Sequence, residues 1–469
     1  MIINIFDHKA KSINLAALIL AAASFLSALL GFLRDRLLAS RFGAGDELDI
    51  YYASFRIPDF ISMVLILGAI SAAIVPIFSS YLSRSKKEAF EFLANLFNLF
   101  LVFLIVVILI LIIFTPQLIS LIVPGFSGQK KELTVFLTRI MFFSPIFLGL
   151  GNIISAVLQV FQRFLITSLA PIFYNLGIIF GILFFVPKMG VVGLAWGVAL
   201  GAFFHFLLQL PILFKIGFRP LKILNFSHPG FLEVMKLTIP RSIGLAASQI
   251  NLIVITAIAS TFFSGSIAVF NLADSLSRPL LTLIGVSLST AAFPALSLNF
   301  ANNNKEKFNL TFSQIFFKTL YLILPLSFLL FLFRNLIVEI ILKVGKFGSV
   351  DAQLTAACLA AFSLGIFAQA LILLLAKAFF ALRDTKTPAL ASILGMLLNI
   401  FFAIVFVKLF SYPSFFQKIF LFLFNAQKIN NFQVVALPLA ISFSAIFQFL
   451  ILFLLFQRKK TKTFQTPLA

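Results

Sequence analysis

The run Leu99-Phe-Leu-Val-Phe-Leu-Ile-Val-Val-Ile-Leu-Ile-Leu-Ile-Ile-Phe114 is unbroken by any polar residue and lies within a longer stretch, 92–114, that carries no charge. A soluble amphipathic helix needs only one apolar stripe, whereas about 20 continuous apolar residues are what a hydrocarbon core of about 30 Å demands. The stretch therefore reads as a membrane span with its core at 90–115. Working outward, the same criterion gives 13–38 and 50–82 before it, then 133–160, 164–186 and 190–215. A second set follows at 231–261, 266–298, 308–333, 351–382, 387–410 and 434–457. That makes about twelve spans.

Composition agrees with this reading. Hydrophobic residues make up 61% of the 469, charged residues 11%, and the mean hydropathy is +1.11. A soluble domain has about 45–50% apolar and about 25% charged residues. Gly, Pro and polar residues inside the runs suit helices packed on helices and not barrel strands. The expected fold is all-α: a polytopic membrane protein whose spans form two pseudo-symmetric six-helix lobes, 1–222 and 223–469. Residues 412–433 fit neither lobe's spans. Phe415, Phe416 and the run Ile419–Phe424, with Lys418 and Lys428 beside them, are too short to cross and predict an interfacial helix.

The net charge of +21 would suggest nucleic acid in a soluble protein, but the basic residues sit mainly in short loops between apolar runs. With the N-terminus inside, the internal segments hold Lys9, Lys11, Arg84, Lys86, Lys87, Arg163, Lys215, Arg219, Lys222, Lys305, Lys307, Arg383, Lys386 and the group Arg458-Lys-Lys460. Fewer lie outside, among them Lys130, Lys131, Lys188, Lys343 and Lys346. The positive-inside rule then places both termini in the cytoplasm. The first apolar run is too long for a signal peptide and reads as a retained span. One cysteine, Cys358, and three scattered histidines give no disulfide and no metal site, and no cofactor is expected.

The two halves resemble each other. Ser71-Ala-Ala-Ile-Val-Pro76-Ile-Phe-Ser79 in the second span parallels Ser289-Thr-Ala-Ala-Phe-Pro294-Ala-Leu-Ser297 in the eighth. Arg163, Pro171 and Asn175 have looser counterparts in Arg383, Pro388 and Asn399. Six spans separate the members of each pair, so the repeats keep one orientation. An axis along the membrane normal, with a substrate cavity between lobes, is the expectation.

Charge inside a span is costly and marks function. Arg34, Asp35, Arg36, Arg41, Asp49, Arg56 and Asp59 fall in the first two spans; Arg241, Asp274 and Arg278 fall in the second half; Arg139 and Lys377 also lie in apolar stretches. The planar fork of arginine suits a pyrophosphate or carboxylate. Snorkelling and pairing among neighbours are the structural alternatives for each of them. The chain has no phosphate-binding Gly-x-x-x-x-Gly-Lys-Ser/Thr loop, no nucleophile elbow and no catalytic carboxylate pair. It reads as a transporter and not an enzyme.

Gly31-Phe-Leu-Arg-Asp35, Phe42-Gly-Ala-Gly45 and Asp49-Ile-Tyr-Tyr-Ala-Ser-Phe-Arg-Ile-Pro58 form a run that resembles the N-terminal signature of the MurJ (MviN) lipid II flippases. Gly68-Ala-Ile-Ser71, Pro124-Gly-Phe126, Leu137-Thr-Arg-Ile-Met-Phe-Phe143, Pro240-Arg241 and Phe380-Ala-Leu-Arg-Asp-Thr-Lys-Thr-Pro388 extend it over roughly 15–400. The resemblance implies the multidrug/oligosaccharidyl-lipid/polysaccharide exporter superfamily, alternating access, and lipid II carried from the inner to the outer leaflet for peptidoglycan and cell-wall biogenesis. It implies cavity roles for Arg34 and Asp35, an acidic position at Asp49 and a basic one at Arg56. Further cavity arginines of the family fall here on Ala28, Ser62 and Ser275. Arg278, one turn after Ser275, is the expected substitute. Family members commonly have two further spans for the lipid tail.

The substrate-binding set expected is Arg34, Asp35, Asp49, Arg56, Arg241 and Arg278. The expected partners are an anionic lipid-linked saccharide, membrane lipids and cell-wall synthesis proteins, with no nucleic acid. The alternatives are an exporter of another polyprenyl-linked saccharide of the O-antigen kind or of small molecules, and a membrane scaffold that carries nothing.

Overall fold

With no water in a bilayer core, each spanning segment must satisfy its own backbone hydrogen bonds, and the apolar runs are helical over their described residues in the computed structural model. It describes residues 13–67, 70–412, 415–424 and 431–463; the side chains of 13–18, 65–67, 70–72, 240–241, 243–244 and 461–463 lie outside that description. The chain begins with α1 (Ile13–Phe42), α2 (Asp46–Ser54), α3 (Arg56–Ile61) and α4 (Ile70–Arg84). Next come α5 (Lys86–Ile122), α6 (Gly128–Met141), α7 (Phe143–Val160), α8 (Phe164–Phe180), α9 (Val186–Met189), α10 (Val192–Leu207) and α11 (Leu210–Lys215). The remainder is α12 (Pro229–Ser260), α13 (Ser266–Leu280), α14 (Ser287–Ala301), α15 (Lys305–Leu332), α16 (Arg334–Ile341), α17 (Ser349–Ser363), α18 (Ile366–Ala381), α19 (Lys386–Ser411), α20 (Phe415–Leu423) and α21 (Ala436–Thr463).

Among the described residues eight helical segments are long and apolar enough to cross a membrane, and the pair α17–α18, bent by 42°, makes a ninth. The remaining expected spans, the first, second and seventh, coincide with α1, with α2 to α4, and with α12.

The chain divides into two compact units. One comprises the residues up to Leu38 and Asp46–Ala257; the other comprises Ala39–Gly45 and everything from Ile258. In the first, α8 and α10 approach closely because small residues recur every fourth position. An added Cβ on Gly177 would meet the backbone of Gly201, and one on Gly181 would meet Gly197. This is the small-xxx-small packing of membrane helices, where lipid supplies no hydrophobic drive between helices.

In the second unit a cluster of Leu296, Phe308, Phe312, Leu375, Phe379, Leu452 and Phe456 joins α14, α15, α18 and α21. The expected span 351–382 is broken by a bend. The Ser442 hydroxyl donates to Ala361 O at 2.6 Å, and an added Cβ on Gly365 would strike the Ser442 backbone. A side chain inserted among helix carbonyls is a recognised cause of kinking.

Two backbone features repeat between the units. A π-helical segment at Ser62–Leu67 precedes Ser71 and Pro76, and another at Leu281–Val286 precedes Ser289 and Pro294. A left-handed residue also closes both α7 and α18, Gln162 at φ 58° and Arg383 at φ 59°. Arg163 N–H then donates to Leu158 O at 2.9 Å, and Asp384 N–H donates to Phe379 O at 2.9 Å. The backbone register thus equates Arg383 with Gln162, one residue away from the Arg163 match that the sequence suggests.

Candidate functional site

Arg34 lies on α1, where consecutive charges in an apolar helix need immediate partners. Asp35 supplies one: Arg34 Nη2 and Nε both donate to Asp35 Oδ1, at 2.8 and 3.0 Å. Asn175 of α8 supplies another, accepting from Arg34 Nη1 at 3.2 Å through Oδ1. The Asn175 amide then donates to Ser27 Oγ at 3.2 Å and Pro171 O at 3.3 Å, which fixes its own orientation. Asp35 is buried, whereas the Arg34 side chain stays 26% exposed. Tyr51, Tyr52 and Tyr174 lie within electrostatic reach of the guanidinium. The result is a partly exposed arginine held by two polar partners, an arrangement suited to receiving an anion by charge-assisted hydrogen bonds.

The other expected residues are placed separately. Asp49 on α2 is buried and pairs with Lys130 of α6 at 3.3 Å; Lys130 also reaches Asp46 and lies 4.1 Å from the Phe126 ring centroid. Arg56 on α3 is buried, and its Nε donates to Thr256 Oγ1 of α12 at 2.6 Å. Both therefore sit in contacts that hold the first unit together. Arg241 lies on α12, and its side chain is outside the described residues. In the second unit Arg278 pairs with Asp274 one turn earlier at 2.6 Å, leaving the arginine 58% exposed. Ser275 bonds only the Leu272 carbonyl of its own helix among its described contacts, and Ser62 is buried at the start of its π-helical segment.

Sequence reasoning did not select Asn175, Lys130 or Thr256 as partners. Asn175 carried a signal, since a carboxamide in an apolar helix needs a polar contact, but nothing local names a residue 141 positions away.

The signature Phe380-Ala-Leu-Arg-Asp-Thr-Lys-Thr-Pro388 proves to be architectural. Asp384 accepts from the Thr387 N–H at 3.0 Å, the Thr387 hydroxyl at 2.6 Å and Lys459 Nζ at 2.6 Å. It thereby fastens the start of α19 to the end of α21. Among the described residues no group of His, Cys, Asp or Glu has the arrangement of a metal site.

The family model described as "Lipid II flippase MurJ" matches residues 38–468. A "Probable lipid II flippase MurJ" of Buchnera aphidicola subsp. Schizaphis graminum is 32% identical over 381 residues, 80% of this chain and 74% of that one. The "Lipid II flippase MurJ" of Burkholderia cenocepacia is 30% identical over 403 residues, covering 84% and 78%. Among solved structures, a lipid II flippase MurJ in an inward closed conformation superposes with a TM-score of 0.77 at 26% identity, over 96% of this chain and 89% of that one. An inward-facing multidrug MATE transporter of the MOP superfamily reaches 0.73 at 15% identity, covering 96% and 100%, a likeness of fold alone.

Proposed function

This chain belongs to the MurJ family of lipid II flippases, and we propose that it carries lipid II across the membrane by engaging the pyrophosphate at Arg34. It is a multi-pass membrane transporter and not an enzyme. The single observation that supports the assignment of Arg34 is its clamp. Asp35 and Asn175 hold the guanidinium in place inside an apolar helix, and the side chain as a whole stays 26% exposed. A fork held in advance loses little side-chain freedom on binding, and its free N–H groups match paired phosphate oxygens.

Arg278, exposed beside Asp274, is the second anion-binding position in this reading. Asp35 and Asp274 shield each arginine when no cargo is bound. Asp49 and Arg56 act at one remove, by holding α2 and α3 to α6 and α12. Arg241 completes the set. The six-span halves, 1–222 and 223–469, divide the chain by topology and not by compactness. The membrane is the cytoplasmic one, with both termini inside, and alternating access moves the cargo outward. In that orientation the potential acts on each translocated charge with about 2.3 kcal/mol per 100 mV.

The test is complementation of a strain conditionally depleted of its own MurJ, with membrane expression checked by blotting. The chain is expected to restore growth and Arg34→Ala is expected not to. A well-expressed chain that fails to rescue points to another polyprenyl-linked saccharide, and rescue by Arg34→Ala removes Arg34 from the mechanism.

A further inference from the structure

Arg139 is one of the in-span charges that the clamp does not include. It stands six residues after Leu133, where the apolar part of α6 begins, about 9 Å along the helix axis. It is exposed, and an exposed guanidinium that deep in an apolar stretch needs a partner. The neighbouring helix supplies part of the answer. Pro116 interrupts α5 and has no N–H to give to the carbonyl of Ile112. Arg139 Nε donates to that freed carbonyl at 3.3 Å. This bond engages Nε and leaves the forked terminal nitrogens for something else.

Arg139 lines a groove of about 480 Å³ together with Pro116, Lys131, Glu132, Val135 and Phe136. Two cations and one carboxylate give the groove a net positive charge. Part of its wall is apolar and outward-facing, with Phe136 52% exposed. Helical side chains lean toward the N-terminus of their helix, which for Arg139 is the direction of Lys131 and the 123–127 loop. A basic site opening onto an apolar flank near a membrane surface is complementary to an anion that carries an acyl chain.

We propose that this groove between α5 and α6 binds an anionic phospholipid, its phosphate between Lys131 and Arg139 and an acyl chain along Phe136. The lipid belongs to the leaflet on the side of the 123–127 loop. A glycerophosphate head fits such a volume, whereas a disaccharide-pentapeptide is several times larger, so the site is distinct from that of the cargo. Pro116 has a defined part in it: by freeing the Ile112 carbonyl it anchors Arg139 and leaves the terminal nitrogens for phosphate.

Native mass spectrometry of the full chain, titrated with phosphatidylglycerol or phosphatidylcholine, tests this. The chain is expected to retain phosphatidylglycerol about tenfold more strongly, the scale of a charge-assisted contact. Arg139→Gln keeps an N–H for Ile112 but removes the charge, and combined with Lys131→Met it is expected to hold both lipids alike. Lys131→Met alone leaves the Ile112 bond intact and should lower the preference severalfold, so it decides the matter if Arg139→Gln does not fold. Equal retention of the two lipids by the unaltered chain overturns the proposal. So does an undiminished preference in Lys131→Met, or complete displacement of the lipid by millimolar inorganic phosphate, which would mark a free-anion site.

Discussion

Asp384 holds an arrangement that depends on its charge. Burial by itself would raise its carboxyl, but hydrogen bonds from Lys459 and from the hydroxyl and N–H of Thr387, with the Lys459 charge, outweigh burial and keep it below its ordinary 3.8. Its folded-state value therefore lies under its unfolded one, so the stabilisation is fully present above about pH 4 and is lost as pH falls through the folded value. Asp384→Ala should lower stability by about 1 kcal/mol at pH 7, mostly through the lost bonds to Thr387 at the start of α19. The half-exposed Lys459 adds little. Thermal melts in detergent should show that gap closing as the pH is taken below about 4, and a gap that widens would contradict the assignment. A different constraint acts at Gly265. It sits at φ 94°, and an added Cβ would overlap the Ala44 carbonyl oxygen; Gly345, at φ 61°, meets Ser40 in the same way. In the Phe42-Gly-Ala-Gly45 signature itself, Gly43 sits at φ 67° and an added Cβ would lie 2.8 Å from Lys346 O, so that glycine answers to backbone approach within the second unit.

Among elements, α20 is the one whose placement the hydropathy pattern leaves open. Phe416 and Phe420 turn toward Phe406 and Phe410, with ring centroids 5.6 and 5.9 Å apart. Phe415 and Phe422 stand 81% and 76% exposed on the other face, close to Lys418. Aromatic residues facing outward beside a lysine on a helix of nine residues, too short to cross, suit a membrane interface. A Phe415→Trp reporter in a Trp196→Phe background should emit at short wavelength in vesicles. Lipids brominated near the head group should quench it more than lipids brominated at the chain end. Water-like emission would remove α20 from the bilayer. The eight long apolar helices and the bent pair α17–α18 were legible in the sequence because hydropathy dictates them. The π-helical segments were not, since Ser62–Leu67 and Leu281–Val286 differ from ordinary helix only in hydrogen-bond register, which packing sets and local composition does not. The candidate site divides in the same way. The Arg34–Asp35 and Asp274–Arg278 pairs could be read from adjacency and from the i, i+4 spacing. The contacts of Arg34 with Asn175 and of Arg56 with Thr256 join residues 141 and 200 positions apart and needed the fold.

For the whole molecule, the proposed orientation in the membrane rests on where the basic residues behind the +21 charge lie. The 123–127 loop between α5 and α6 is followed by Lys130 and Lys131, whereas the segment between α11 and α12 holds Arg219 and Lys222 and begins after Lys215. In the orientation proposed above, the basic excess summed over all loops lies on the side of both termini, and basic segments are retained in the cytoplasm. The chain lends itself to a direct measurement, because its one cysteine, Cys358, is fully buried and should stay silent toward a thiol reagent. Ser127 and Ser227 are both exposed and lie in the two contrasting loops. With a membrane-impermeant maleimide, Ser127→Cys should label in intact spheroplasts, and Ser227→Cys should label only after permeabilisation. Reversal of that pattern would turn the protein over in the membrane and move the phospholipid groove to the cytoplasmic leaflet. Anionic lipid is abundant in that leaflet too, so the groove would keep its chemistry while the direction proposed for the cargo would have to be given up.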